Sequence, residues 1–187
     1  MVVAGLLLAV TAPVLALAAL AIRLESRGPV FYRQLRVGRH GRTFQLWKLR
    51  TMVRGAETMG DGIYVLEGDA RITRVGRLLR RFSLDELPNL INVLAGDLAV
   101  VGPRPTVREQ VDRYTERQRR RLEVRPGITG WAQVNGRTSL PWPERIELDV
   151  WYVEHRSLRL DLRILARTAR MLATGHGLYS EELKQGW

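Results

Sequence analysis

Asp85 and Glu86 stand side by side in the run Arg80-Arg81-Phe82-Ser83-Leu84-Asp85-Glu86-Leu87-Pro88-Asn89-Leu90. Two readings of the pair are open. The first is local: Ser83 followed by Glu86 fits a capping box, acidic residues favour a helix start, and Pro88 suits a first turn. The second is chemical and uses the same geometry. A helix N-terminus attracts anions through its free N–H groups and its dipole, so a carboxylate there stays ionised and a phosphate can be held nearby. An ionised Asp can attack phosphorus and form an acyl-phosphate. Two anions repel, so the approach needs cations, and arginines with Mg2+ fill that role in phosphoryl transfer. A glycosidase pair fits less well. It needs two carboxyls facing across one sugar bond, whereas sequence neighbours point apart.

Arg104 is the cation best placed by sequence. The two prolines of Gly102-Pro103-Arg104-Pro105 fix the backbone on either side of it. A rigid loop carrying an arginine suits phosphate clamping, although an ordinary turn would show the same residues. A third segment, Arg125-Pro126-Gly127-Ile128-Thr129-Gly130-Trp131-Ala132-Gln133-Val134-Asn135-Gly136-Arg137, joins glycines, an aromatic ring and polar side chains, as a nucleotide pocket would. It contains neither GxGxxG nor a Walker pattern.

Composition bounds what could surround these residues. A chain of 187 residues is one domain by size, and 45% hydrophobic content excludes a disordered tail. The absence of cysteine excludes disulfides and thiolate metal sites. The net charge of +11 calls for an acidic partner: nucleic acid, anionic lipid headgroups or a phosphorylated substrate. Lysine occurs only at Lys48 and Lys184, and arginine supplies every other strongly basic side chain. The arginine fork engages phosphate oxygens in pairs; a GC-rich genome would give the same bias. A non-enzymatic binder of anionic membrane or nucleic acid, using Arg71 to Arg81 and Arg117 to Arg121, is the competing class. It gives the Asp-Glu pair and the Pro-Arg-Pro loop no purpose.

The elements that must hold these residues read as an α+β domain, mostly helical and compact, with a small β-hairpin. Pro29 to Met52 forms the hairpin, turning at Gly38-Arg39-His40-Gly41-Arg42. The glycine-rich stretch Met52 to Asp69 reads as a loop. Ile72, Val75, Leu78, Leu79 and Phe82 recur at helical spacing with arginines between them, a basic amphipathic helix suited to an anionic membrane surface or to a solvated face. A helix follows Asp85 and ends near Gly96, and Leu98 to Val101 is a short strand. Further helices are expected from Thr106 to Leu122, Pro143 to His155, and Leu158 to Ala173.

The first segment differs. Val2 to Ile22 carries no charge and, as one helix, would be roughly 30 Å long, enough to cross a bilayer core. Arg23, Arg27, Arg33, Arg36, Arg39 and Arg42 follow, which places the rest of the chain in the cytoplasm by the positive-inside tendency. Pro13 interrupts the run at its middle. The helix either spans with a kink or breaks at Ala12-Pro13 and returns to the side it entered.

Taken together and in order, several stretches are distinctive: Gly28-Pro29-Val30-Phe31-Tyr32-Arg33-Gln34, Lys48-Leu49-Arg50-Thr51-Met52, Arg71-Ile72-Thr73-Arg74-Val75-Gly76, Ser83-Leu84-Asp85-Glu86-Leu87-Pro88, Gly96-Asp97-Leu98, Gly102-Pro103-Arg104-Pro105, Arg125-Pro126-Gly127-Ile128-Thr129-Gly130 and Tyr152-Val153-Glu154. The chain resembles the catalytic domain of the bacterial sugar transferase family, the monotopic phosphoglycosyl transferases. The resemblance implies an N-terminal re-entrant membrane helix over residues 1–24, broken at Ala12-Pro13, amphipathic interfacial helices, and a catalytic domain over residues 25–187 at the cytoplasmic face of the bacterial inner membrane. It implies Asp85 as nucleophile on the β-phosphate of a UDP-sugar, release of UMP, and transfer of the phosphosugar to polyprenol phosphate, the first step of membrane glycan assembly. Glu86 would handle a proton or hold Mg2+, with Asp85 as the other metal contact. Arg80, Arg104 and Arg137 would bind substrate phosphate or nucleotide. Membrane lipids are expected partners and nucleic acid is not. The family carries a Ser-Pro pair where this chain has Ala12-Pro13, and basic residues and an Asp before the apolar run, so an earlier native start is expected.

Overall fold

A computed structural model describes residues 2–59, 68–136 and 140–174 of the chain. The long apolar helix α1 (Val2–Glu25) comes first. The strands β1 (Phe31–Val37) and β2 (Thr43–Leu49) follow as an antiparallel hairpin in which Tyr32 lies opposite Lys48. Its connection is a 3-10 turn at Arg39–Gly41, with His40 at φ 55°. Next come α2 (Arg74–Arg81), a 3-10 turn at Leu84–Glu86, α3 (Asn89–Ala95) and β3 (Ala99–Val101). Short helices α4 (Arg108–Val111) and α5 (Glu116–Arg119) lead to β4 (Gly127–Thr129), α6 (Trp131–Val134), α7 (Trp142–His155) and α8 (Leu158–Thr174). The result is mostly helical around a small antiparallel sheet, as the sequence indicates.

One expectation needs correction, and one element is new. Residues 106–122 are not one helix. Val111 ends α4, and Thr115 starts α5 with a true capping box, its side chain accepting from the Gln118 N–H while Gln118 returns a bond to the Thr115 N–H. A strong cap inside an apparently continuous pattern restarts the helix. The segment from Arg125, whose glycines, aromatic ring and polar side chains suggest a nucleotide pocket, also contains an element that its sequence does not reveal. Gly127–Thr129 is a strand, paired in parallel with β3 so that Ala99 faces Gly127 and Val101 faces Thr129. A Cβ on Gly127 would lie 2.1 Å from the Gly102 nitrogen, so glycine there serves close backbone contact.

Packing joins these pieces into one body. Ile146 and Val150 of α7 are fully enclosed and pack with Val37, Val111 and Tyr114. Leu160 and Ile164 of α8 pack on Val101 and Tyr152. Helix α1 docks at both ends. Ala4 joins Leu46, Leu90, Val93 and Leu98, whereas Ala18 and Ile22 join Leu49 and Leu79. Between these ends Val10, Val14 and Leu17 are exposed. The helix continues through Ala12 and Pro13, and it is the one described helix long and apolar enough to cross a membrane.

Candidate active site

The carboxylate pair sits where α2, β2 and α3 meet. Asn92 fixes the geometry: its side-chain NH2 donates to the Gln45 carbonyl at 2.7 Å, and its Oδ1 accepts from the Trp47 N–H at 3.1 Å. These two bonds hold α3 against β2, and the 3-10 turn just before α3 is carried to Lys48. Ser83 enters that turn with φ 54° and ψ 24°, and its hydroxyl makes no capping bond. The expected capping box between Ser83 and Glu86 is therefore absent, because a cap needs extended backbone and Ser83 is left-handed. The conformation costs on the order of 1 kcal/mol or more, and it reverses the chain sharply after α2.

Glu86 is tied down. Its Oε1 accepts from Lys48 Nζ at 2.7 Å and from Arg104 at 2.8 Å. Burial alone would raise its pKa, but Arg104 and Lys48 outweigh burial and hold the carboxyl well below the usual range. Asp85 differs. It is 9% exposed and accepts no hydrogen bond among the described residues. Burial pushes its pKa up and the Glu86 charge adds to this, while Lys48, Arg80 and Arg104 pull it down. One carboxylate is thus a fixed anion between two cations, and its neighbour keeps its oxygen lone pairs uncommitted. An attacking carboxylate needs the second condition.

The structure brings Arg80 and Arg104 to this pair. Arg80 donates from Nε to Thr51 Oγ1 at 2.8 Å. Its helix can approach because residue 76 is glycine: a Cβ there would lie 1.9 Å from the Thr51 carbonyl oxygen. Arg104 is paired with Glu86 yet its side chain is 44% exposed, so the guanidinium can also meet an incoming anion. Arg137 lies outside the described residues. Ala12 and Pro13 lie on the exposed middle of α1, not at this site.

Two cations were missed by the sequence reading as site residues. Lys48 is one, and its signal was its rarity, one of two lysines in a chain whose other strongly basic side chains are arginine. Arg36 is the other. It donates to Gln34 Oε1 at 2.6 Å and reaches the Pro105 carbonyl at 3.5 Å. Burial, and then the charge of Arg104, lower its pKa to about 10. The basic run near residue 120 is largely spent on internal pairs: Arg120 with Glu154 and Glu123, and Arg121 with Asp149. No cluster of three or more His, Cys, Asp or Glu side chains able to hold a metal occurs among the described residues.

A recessed carboxylate pair ringed by Lys48, Arg80 and Arg104 has the charge pattern of a phosphate-handling centre, and similarity to known proteins agrees. Residues 1–175 match the family model for bacterial sugar transferase. The uncharacterized sugar transferase EpsL of Bacillus subtilis is 49% identical over 157 residues, covering 84% of this chain and 76% of that protein. A UDP-glucose:undecaprenyl-phosphate glucose-1-phosphate transferase of Caulobacter vibrioides is 47% identical over 186 residues, covering 95% of this chain and 69% of the relative. The undecaprenyl-phosphate galactose phosphotransferase of Salmonella typhimurium is 40% identical over 166 residues, covering 81% of this chain but 35% of that longer protein. With residues 1–175 of its 187 matched by the family model, the chain belongs to the bacterial sugar transferase family.

Proposed function

We propose that this chain is a phosphoglycosyl transferase that moves a sugar-1-phosphate from a UDP-sugar to polyprenol phosphate through an intermediate on Asp85. The observation that carries the reading is the unequal pair: Asp85, without a hydrogen-bond partner among the described residues, beside Glu86 fixed by Lys48 and Arg104. In the first step an Asp85 carboxylate oxygen bonds to the β-phosphorus. The bond from that phosphorus to the bridging oxygen breaks, and UMP leaves with the electron pair. In the second step an oxygen of polyprenol phosphate attacks the same phosphorus. The acyl-phosphate bond breaks, polyprenyl-diphosphate-sugar forms, and the Asp85 carboxylate is restored. Arg104 and Arg80 neutralise the charge of the diphosphate as it approaches. Arg137 is assigned to the same nucleotide.

The donor set suits Mg2+, which binds through one or two carboxylates together with substrate phosphates. Both bonds to Glu86 fall on Oε1, so its Oε2 and the Asp85 carboxylate are the oxygens to hold it. When bound, the ion would neutralise diphosphate charge.

In the same reading residues 1–24 form a re-entrant membrane helix that turns at Ala12-Pro13, and residues 25–187 form the catalytic domain on the cytoplasmic face of the bacterial inner membrane. The docking of α1 supports this. A straight helix would separate Ala4 from Ile22 by roughly 27 Å. Their packing clusters contain Leu46 and Leu49, three strand steps apart or about 10 Å. A helix whose ends dock on neighbouring parts of one domain has both ends on one side of the bilayer. The exposed apolar middle is the part left for lipid.

The test is a UMP-release screen with detergent-purified protein, Mg2+, polyprenol phosphate and a panel of UDP-sugars. UMP formation with one sugar and none without Asp85 supports the reading. No release with any UDP-sugar overturns it.

A further inference from the structure

Arg121 is buried outside the carboxylate pair, yet it ends on the loop that serves it. Arg121 is 3% exposed and Asp149 is 2% exposed. Arg121 donates to Asp149 Oδ2 at 2.5 Å and to the main-chain carbonyl of Arg104 at 2.8 Å. It also donates to the Tyr114 hydroxyl, and its guanidinium lies 5.5 Å from the Tyr114 ring centre and 5.6 Å from that of Trp142. One planar cation is therefore held by a carboxylate, a hydroxyl and two rings, and its remaining grip falls on the backbone of Arg104.

Stability does not account for this arrangement. Arg121 Nε, Asp149 Oδ1 and Trp142 Nε1 are buried without hydrogen-bond partners. A well-packed apolar group of the same volume would avoid that desolvation cost. What an apolar group could not do is donate to the Arg104 carbonyl. The loop needs such donors. Pro103 and Pro105 fix the chain but bring no N–H groups, so the carbonyls must be satisfied from elsewhere. Gly127 N–H holds the Pro103 carbonyl at 2.8 Å, and Arg36 reaches the Pro105 carbonyl. At Arg104 itself the donor comes from an ion pair between the turn after α5 and helix α7.

We propose that Arg121 and Asp149 are positioning residues for the transferase reaction: the buried pair anchors the Arg104 main chain, so that a long, half-exposed side chain meets Glu86 and the substrate diphosphate in one fixed place. The proposal rests on the function proposed above. It requires the pair to act through Arg104 and through nothing else at the site. Misplacement of a phosphate-binding group by about 1 Å is enough to cost about a hundredfold in rate.

Arg121→Lys and Asp149→Asn test it in two ways, each in the full chain in detergent. The first is amide hydrogen exchange of the segment 98–107. Bracing predicts faster exchange there, with α7 and α8 unchanged; unchanged exchange in 98–107 overturns the proposal. The second is a double-mutant cycle with Arg104→Ala, read as UMP release. Each single substitution should raise KM for the UDP-sugar by about tenfold or more, with a smaller change in kcat. In the Arg104→Ala background the same substitution should change it by less than about twofold. Undiminished effects in that background overturn the proposal, as does loss of cooperative melting in both variants, which would make the pair purely structural. Wild-type protein that releases no UMP from any UDP-sugar is instead a failure of the functional reading, and the exchange result then judges the bracing alone.

Discussion

Lys48 and Arg104 meet on a single oxygen of Glu86, and this shared contact sets the two carboxylates apart. A fixed anion between two cations is a poor nucleophile and a good electrostatic anchor. Lys48→Met removes one charge-assisted bond of a type worth about 1.5–3 kcal/mol. It should lower kcat/KM for UMP release by about ten- to a hundredfold, measured at saturating polyprenol phosphate. Arg104→Lys keeps the charge and loses the fork, so its loss should appear mainly in KM for the UDP-sugar. Rates equal to wild type in both variants would remove the anchoring role. Asp85, Glu86 and Arg104 were legible in the sequence because they lie in recognisable stretches, and Arg80 because it stands five residues before Asp85. Lys48, although it lies in such a stretch, and Arg36 were not assigned, because only the docking of α3 on the hairpin brings them to a carboxylate pair far along the chain.

Among the elements, the site depends on α2 lying close to Thr51, two residues beyond β2. Gly76→Ala would place a methyl group 1.9 Å from the Thr51 carbonyl oxygen. The helix must shift, at a cost of about 1–3 kcal/mol, and the Arg80 bond to Thr51 is lost. A drop in melting temperature accompanied by slower UMP release is expected; a stable, fully active variant would show that α2 need not sit there. Hydrophobic spacing revealed α2, α7, α8 and the hairpin, since each pattern is long and regular enough to show its period. It failed over residues 106–122, where the Thr115 cap restarts the helix, and at Gly127–Thr129, where a three-residue strand is too short to carry a period. The Ser83–Glu86 cap failed for a different reason. The sequence pattern was present, but the left-handed Ser83 backbone cannot form the bond.

The whole molecule sets a buried ion pair and a long apolar helix around one candidate site. Burial pushes the Asp149 carboxyl up to about 6, against the opposing charge of Arg121. A raised carboxylate pKa means that the folded state keeps its proton longer than the unfolded state, so this group's contribution to stability falls as pH rises from about 4 to about 6 and levels off above. The stability of wild type relative to Asp149→Asn should therefore decline across that window by up to about 3 kcal/mol, followed as melting temperature against pH; an advantage that grows with pH would contradict it. The chain lacks cysteine, so single introduced thiols report topology cleanly. A cysteine appended before Met1 and Leu24→Cys should both react with an impermeant maleimide from the cytoplasmic side, and labelling from opposite sides would mean that α1 spans. In the proposed reaction the domain takes a phosphosugar from a soluble nucleotide before passing it to a lipid. Intact-mass measurement of protein mixed with its UDP-sugar and Mg2+, with polyprenol phosphate withheld, tests this most directly. The expected result is an adduct of one phosphosugar with release of an equal amount of UMP, the adduct mapping to Asp85, absent in Asp85→Asn and discharged by added polyprenol phosphate. Full turnover by a variant lacking the Asp85 carboxylate, or release of UMP only when the lipid is present and with no adduct at any time, would contradict it.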